Sequence, residues 1–290
     1  MTPILAAILM GGRLPAADVS LPFTSPKGLI VVQTEGNDGK PLRMLVDTGA
    51  QRTVVDRAVA ESLKLERGED VRARGAGGSV DAWWAKGLHL QGLGEAPLEA
   101  VVLPLEGIGK AIGTPIDVIL GQDVIGKRVM EIDRASGKVT FGTRPAIVPS
   151  SATVVSLVLR GGRPYLRATV VGPTGRATPA DLLLDTGSDT AAELAQPYAD
   201  EVGLPTKPDP NGRSIMGVGG IVPIRLADLK EIRVGREIVP SQDVRVFHRP
   251  VDAAGDGDGR VGNGFLSNYK VTIDGPGLKL VLTPIRKESS

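Results

Sequence analysis

The chain has 290 residues, and 34 Lys+Arg against 33 Asp+Glu leave a net charge of +1, which gives no electrostatic reason to expect a nucleic-acid partner. At 41% hydrophobic and 23% charged the composition is globular, with length for one large domain or two lobes, while the absence of cysteine removes disulfides, thiol nucleophiles and thiolate metal sites. Two histidines, His89 and His248, leave little for a histidine relay or a His-rich metal centre, and 38 Gly and 22 Pro with 3% aromatics predict a turn-rich, all-β chain with an aliphatic core.

The chain opens with an apolar run from Pro3 to Met10, followed by small residues around Pro15, Ala16 and Ala17. The run is too short to cross a bilayer, where a helix needs about 20 residues, and no basic segment precedes it. Residues 1–22 are therefore a short signal peptide or an amino-terminal strand, and periplasmic or secreted and cytoplasmic placements both stay open. An apolar strand and the turn EGNDGK (35–40) then read as a hairpin that runs into Met44-Leu-Val-Asp-Thr-Gly-Ala50. Val55, Val59 and Leu63 recur at four-residue spacing and predict a short amphipathic helix. RGAGGSV (74–80) predicts a glycine-rich hairpin end, VILGQDVIG (118–126) follows, and Asp133 closes an Ile-Asp pair before the strand KVTF. The proline- and serine-containing stretch 144–152 predicts a linker.

The same order then repeats. The turn GPTGR (172–176) leads into Leu183-Leu-Asp-Thr-Gly-Ser188, placing Asp185 138 positions after Asp47. Leu194, Tyr198 and Val202 repeat the helical spacing one position later, GVGGIVP (217–223) repeats the glycine-rich tip, RVGNGFLSN (260–268) repeats the apolar-Gly segment, and Asp274 repeats the Ile-Asp pair. Landmarks in one order with small drifts in offset predict two homologous lobes, 23–143 and 153–290, joined by the linker.

A carboxylate at the end of an apolar strand, followed by Thr-Gly, sits in a tight turn where glycine lets backbone approach a neighbour. Doubling the unit generates a pseudo-two-fold axis, and loops near it would bring Asp47 and Asp185 together. Two carboxyls sharing a site cannot both ionise cheaply, so one proton is shared and the pair titrates in two steps. One member then acts as base on a water that attacks a peptide carbonyl while the other donates its proton, with no metal, cofactor or covalent intermediate required.

These repeated Asp-Thr-Gly units, glycine tips and apolar-Gly segments resemble the aspartic proteases over about residues 28–285, and DTGAQRTVV is similar to the retropepsin-like members in particular. The resemblance implies a bilobal acid-protease fold of two retropepsin-like β-barrel lobes with short helices, working as a monomeric aspartic endopeptidase on an extended polypeptide. It further implies that Asp47 and Asp185 are catalytic, that Thr48 and Thr186 interlock beneath them beside Gly49 and Gly187, and that the tips at Gly77, Gly78, Gly219 and Gly220 are flaps over the substrate. Asp189 matches a family residue that contacts substrate backbone, whereas its first-lobe counterpart is Gln51. Gln122 and Asn263 stand where retroviral members carry arginine, and GDGDGRV precedes Gly262 where the first lobe has an apolar run.

Ser188 follows the second motif where Ala50 follows the first, and a hydroxyl donated to a carboxylate favours its ionised form. Ser188 is therefore expected to leave the charge on Asp185 and the proton on Asp47, with an acidic pH optimum. Of the adjacent tryptophans, one of Trp83 and Trp84 would line the cleft unless both simply pack the flap base. Asp252, Asp256 and Asp258 miss calcium-loop spacing and read as a solvated loop, and the histidines read as structural or exposed. The competing function is a catalytically silent peptide-binding or assembly module on the same fold. A glycosidase is disfavoured, because its carboxyls stand about 5 to 9.5 Å apart astride a sugar rather than sharing a proton.

Overall fold

The computed structural model describes residues 18–75, 77–94, 96–239, 244–247 and 257–285. The apolar run Pro3–Met10, His248, Asp252 and Asp256 lie outside the described residues. The described residues are mostly β with five short α-helices.

The first half contains β1 (Val19–Thr24), β2 (Val31–Glu35), β3 (Pro41–Val46), β4 (Val54–Asp56), α1 (Arg57–Ser62), β5 (Glu66–Gly75), β6 (Gly78–Leu88), β7 (Leu98–Leu103), α2 (Glu106–Ile112), β8 (Val118–Leu120), α3 (Gln122–Ile125), β9 (Val129–Asp133) and β10 (Lys138–Gly142). The second half contains β11 (Thr153–Arg160), β12 (Arg163–Val171), β13 (Ala177–Leu184), β14 (Ala192–Ala195), α4 (Gln196–Glu201), β15 (Thr206–Pro208), β16 (Ser214–Gly217), β17 (Gly220–Ala227), β18 (Glu231–Val234), β19 (Glu237–Val239), β20 (Val244–Phe247), β21 (Gly259–Val261), α5 (Asn263–Leu266), β22 (Tyr269–Asp274) and β23 (Lys279–Pro284).

The hairpins expected at the glycine turns form: Gly36 N–H bonds Lys40 O in one and Gly172 N–H bonds Arg176 O in the other, each at 2.9 Å. The helices are shorter than their apolar spacing suggests. Val55 lies in β4 and Leu194 in β14, because both segments are held by strand partners on two sides, and α1 starts only after Asp56 caps it by accepting from Ala58 N–H at 2.9 Å. β1 begins at Val19, inside the 1–22 segment, and pairs with both β10 and β2. The stretch 144–152 carries no helix or strand.

Strand pairing repeats between the halves. In the first, β2-β3-β8-β4-β7-β6-β5 lie side by side, with β3–β8 and β4–β7 parallel. In the second, β12-β13-β21-β14-β20-β17 repeat that order with β13–β21 and β14–β20 parallel, and β15 and β16 share the place of β5. A further antiparallel sheet, β1-β10-β9-β22-β23-β11, joins the halves through the β9–β22 pair. β11 shows the two-residue period of a half-buried strand, with Thr153, Val155 and Leu157 inward and Val154 and Val158 exposed. One aliphatic core runs through both halves, from Ile30 and Met130 to Ile273 and Leu282.

Met130 and Ile273 face each other across the β9–β22 junction and are buried. Ile273→Ala is expected to destabilise by about 2–5 kcal/mol. Both tryptophans lie in the first half, so urea unfolding followed by their fluorescence should register this second-half substitution in one transition; a tryptophan signal that ignores it would contradict a continuous core.

Candidate active site

The parallel pairs β3–β8 and β13–β21 set the two motifs. Asp47 N–H bonds Leu120 O at 3.1 Å and Asp185 N–H bonds Val261 O at 3.0 Å, so each aspartate leaves its strand at the same point relative to its parallel partner. The two loops then meet. A Cβ built on Gly49 would stand 2.7 Å from Asp185 Oδ1, and one on Gly187 2.5 Å from Asp47 Cγ, so each glycine lies against the opposite carboxyl and no side chain fits there.

Thr48 and Thr186, both fully buried, tie the loops together. Thr48 Oγ1 accepts from Thr186 N–H at 2.9 Å and donates to Leu184 O at 2.6 Å, while Thr186 Oγ1 accepts from Thr48 N–H at 3.0 Å and donates to Val46 O at 2.8 Å. The amides at the family's arginine positions brace the same loops. Gln122 Nε2 donates to Thr48 O at 3.0 Å, and Asn263 Nδ2 donates to Thr186 O at 2.6 Å and Ser188 O at 3.1 Å. Arg134, from the first half, donates to Asn263 Oδ1 at 2.8 Å.

The carboxyls differ in their partners. Asp47 Oδ1 accepts from the backbone N–H groups of Gly49 and Ala50, at 2.8 and 3.1 Å. Burial raises the pKa of Asp47 and the neighbouring Asp185 raises it further, against those two amides. Asp185, only 4% exposed, accepts from Gly187 N–H at 2.9 Å on Oδ1 and from Arg260 Nη1 at 3.0 Å on Oδ2. The expected Ser188 bond to Asp185 is not made: Ser188 Oγ pairs with Thr190 Oγ1 at 2.8 Å, and the side-chain donor on Asp185 is Arg260.

The hairpins β5–β6 and β16–β17 bring the glycine tips together. Gly77 N–H bonds Val218 O at 2.9 Å, and a Cβ on Gly77 would fall 2.2 Å from Gly220 N, one on Gly219 2.5 Å from Gly78. Gly219 also has φ +91°, so this contact of backbone on backbone requires glycine. Trp84 packs in the aliphatic cluster with Ala50 and the tip residue Val218, while Trp83 packs on the larger core and carries Arg57 and Arg67 on its ring. Asp189 is partly exposed and faces Arg245 at 3.7 Å; Gln51 lies near the β11–β12 turn, against Gly162.

Other candidates lie elsewhere. Asp258 accepts from Asp181 N–H at 2.7 Å as a backbone brace, and His89 contributes its backbone N–H to Asn37. Among the described residues no group of His, Asp and Glu is arranged to hold a metal ion.

The family model described as Aspartyl protease matches residues 32–124, which carry Asp47, Thr48, Gly49 and the first glycine tip. Over that segment the chain is similar to the retropepsin-like aspartyl proteases. The match ends before the second half, whose correspondence rests on the repeated strand order and motif. No curated protein matches the chain.

Arg260 and Glu193 were not singled out by their residue types. Their signal is a difference between the repeats: Arg260 stands in the second apolar-Gly segment where Ile119 stands in the first.

Thr48→Val is expected to leave Thr186 N–H and Leu184 O without partners and to cost about 1–3 kcal/mol in urea unfolding. Asp47→Asn tests the buried carboxyl through stability. The folded pKa of Asp47 lies above the ordinary 3.8, so above that pH the folded chain keeps a proton the unfolded chain has lost, and the contribution to stability falls as pH rises. The Tm advantage of Asp47→Asn over the parent should therefore be absent near pH 3.8 and grow toward neutrality, read by calorimetry across that range.

Proposed function

We propose that the protein is an aspartic endopeptidase that hydrolyses peptide bonds of extended polypeptides, with Asp47 and Asp185 as its catalytic dyad. The observation that carries this reading is the mutual approach of the two Asp-Thr-Gly loops, in which each glycine lies against the opposite carboxyl and the threonines bond reciprocally. The two halves then act as lobes related by a pseudo-two-fold axis through the dyad, and a single chain supplies both carboxyls, so a monomer suffices.

Adjacent carboxyls hold one proton between them. The ionised member takes a proton from water as the water oxygen bonds to the peptide carbonyl carbon, and the protonated member donates to the carbonyl oxygen, giving a neutral gem-diol. Proton transfer to the leaving nitrogen then accompanies cleavage of the C–N bond, and both carboxyls return to their starting state. The paired tips cover this site, where their backbone groups offer hydrogen bonds to an extended chain, and Asp189 stands at its edge. Substrate entry requires the Gly77–Val218 contact to open. The apolar opening run supports export to the periplasm or beyond, which amino-terminal sequencing of the mature protein tests.

The test is cleavage of a mixed, denatured protein pool across about pH 3 to 7, read by mass spectrometry, with a pepstatin-type inhibitor as one arm. Acid-favoured cleavage is expected, abolished by inhibitor and reduced about 10²–10⁴-fold or more in both Asp47→Asn and Asp185→Asn. A folded parent with no cleavage at any pH would overturn the reading in favour of a silent peptide-binding module.

A further inference from the structure

The two halves build the wall beside their aspartates from the same three strands in the same register, with opposite chemistry. In the first half Ile119 on β8, Val54 on β4 and Val101 on β7 form a row across the sheet, all three buried in an aliphatic cluster. In the second half the equivalent row is Arg260 on β21, Glu193 on β14 and Arg245 on β20. Glu193 is 1% exposed and its carboxylate lies 2.7 Å from Arg260 Nε. Arg260 Nη1 lies 3.0 Å from Asp185 Oδ2, and the Arg260 guanidinium rests 4.9 Å over the Phe247 ring. Arg245 continues the row to Asp189 at 3.7 Å. β21 and β14 pack closely here: a Cβ on Gly259 would stand 2.1 Å from the backbone oxygen of Glu193, which accounts for glycine where the first half has valine.

Buried ion pairs are poor sources of stability, since desolvation cancels much of their attraction, and the aliphatic row of the first half shows that this sheet does not need them. What the charged row adds is a fixed cation on one carboxyl of the pair. Among the described residues Asp185 accepts from a charged donor, while Asp47 accepts from the backbone amides of Gly49 and Ala50. Among the described residues the ion-paired groups running from the dyad are Arg260 on β21, Glu193 on β14, Arg245 on β20 and Asp189 in the loop after the second motif, and Arg260 is the one that contacts a dyad oxygen.

Resting on the endopeptidase reading, we infer that Arg260, held by Glu193, is a positioning residue that polarises the dyad, keeping Asp185 ionised as the base toward water and leaving the proton on Asp47 as the acid. The raised pKa of Asp47 agrees with this division. For Arg260, burial opposes its charge, but Glu193 and Asp185 outweigh burial and raise its pKa, so it stays cationic wherever the fold persists. The pKa of Glu193 is raised by burial against the pull of Arg260.

The test replaces the charged pair by its first-half counterpart, Glu193→Val with Arg260→Ile, beside Arg260→Lys, which keeps the cation. The acidic limb of the pH profile for peptide cleavage is expected to move up by about 1–3 pH units in the double variant and to stay near the parent's in Arg260→Lys. Carbon-13 carboxyl spectra of aspartate-labelled protein, assigned with Asp47→Asn and Asp185→Asn, read the same division without turnover: Asp47 carries the shared proton in the parent, and the lower titration step of the pair rises in the double variant. If that variant does not fold, Arg260→Met against Arg260→Lys supplies the comparison. An acidic limb and a lower step that stay in place without Arg260, or a shared proton found on Asp185, would overturn the inference. A parent that cleaves nothing while its carboxyl spectra show this division would sink the endopeptidase reading and leave the polarised pair standing.

Discussion

Two carboxyls in van der Waals reach of each other's loops repel when both are charged, and everything around Asp47 and Asp185 serves to hold them together against that repulsion. The restraint is the exchange of hydrogen bonds between Thr48 and Thr186, in which each hydroxyl takes the other loop's amide and gives its proton to the strand behind it. With both hydroxyls fully committed, neither loop can withdraw without stranding buried polar groups. Gln122 and Asn263 extend the same logic outward by fixing the loop carbonyls, and Arg134 reaches from the first half to fix Asn263.

The rest of the architecture follows from holding two loops in register. The aspartates leave β3 and β13 beside parallel partners β8 and β21, the halves share the six-stranded sheet joined at β9–β22, and the core is continuous beneath them. A displacement of one half would move one carboxyl relative to the other. The tips meet through the Gly77–Val218 backbone hydrogen bond and closely packed glycines, with the Val218 side chain against Gly75. The halves depart from each other in the row beside the carboxyls, aliphatic in one and charged in the other, so like strand orders flank the two carboxyls with unlike chemistry.

Much of this was legible in the residues. The duplicated Asp-Thr-Gly motif, the glycine tips, the hairpin turns and the apolar-Gly segments each mark a backbone requirement, and a repeated requirement survives without knowledge of packing. Helix lengths were less legible, because Val55 and Leu194 fit a helical period yet are claimed by neighbouring strands, a tertiary pairing that local spacing does not encode. The expectation for Ser188 failed on direction: its hydroxyl has Thr190 nearer to hand, and chain proximity to Asp185 did not imply contact. Arg260 and Glu193 stayed hidden because a charged residue in a short strand reads as an edge position, and their register becomes visible only when β21 and β14 are seen to pair inside the sheet.

The central claim is that Asp47 and Asp185 act as one group rather than as two independent contributors. The direct measurement is the rate of cleavage of one peptide by Asp47→Asn, Asp185→Asn and the double variant, each verified as folded by its circular dichroism. A shared dyad predicts that either single substitution brings the rate down to that of the double, since removing one member disables the unit. Losses that multiply, with the double far below both singles, would show two separable roles and contradict the account.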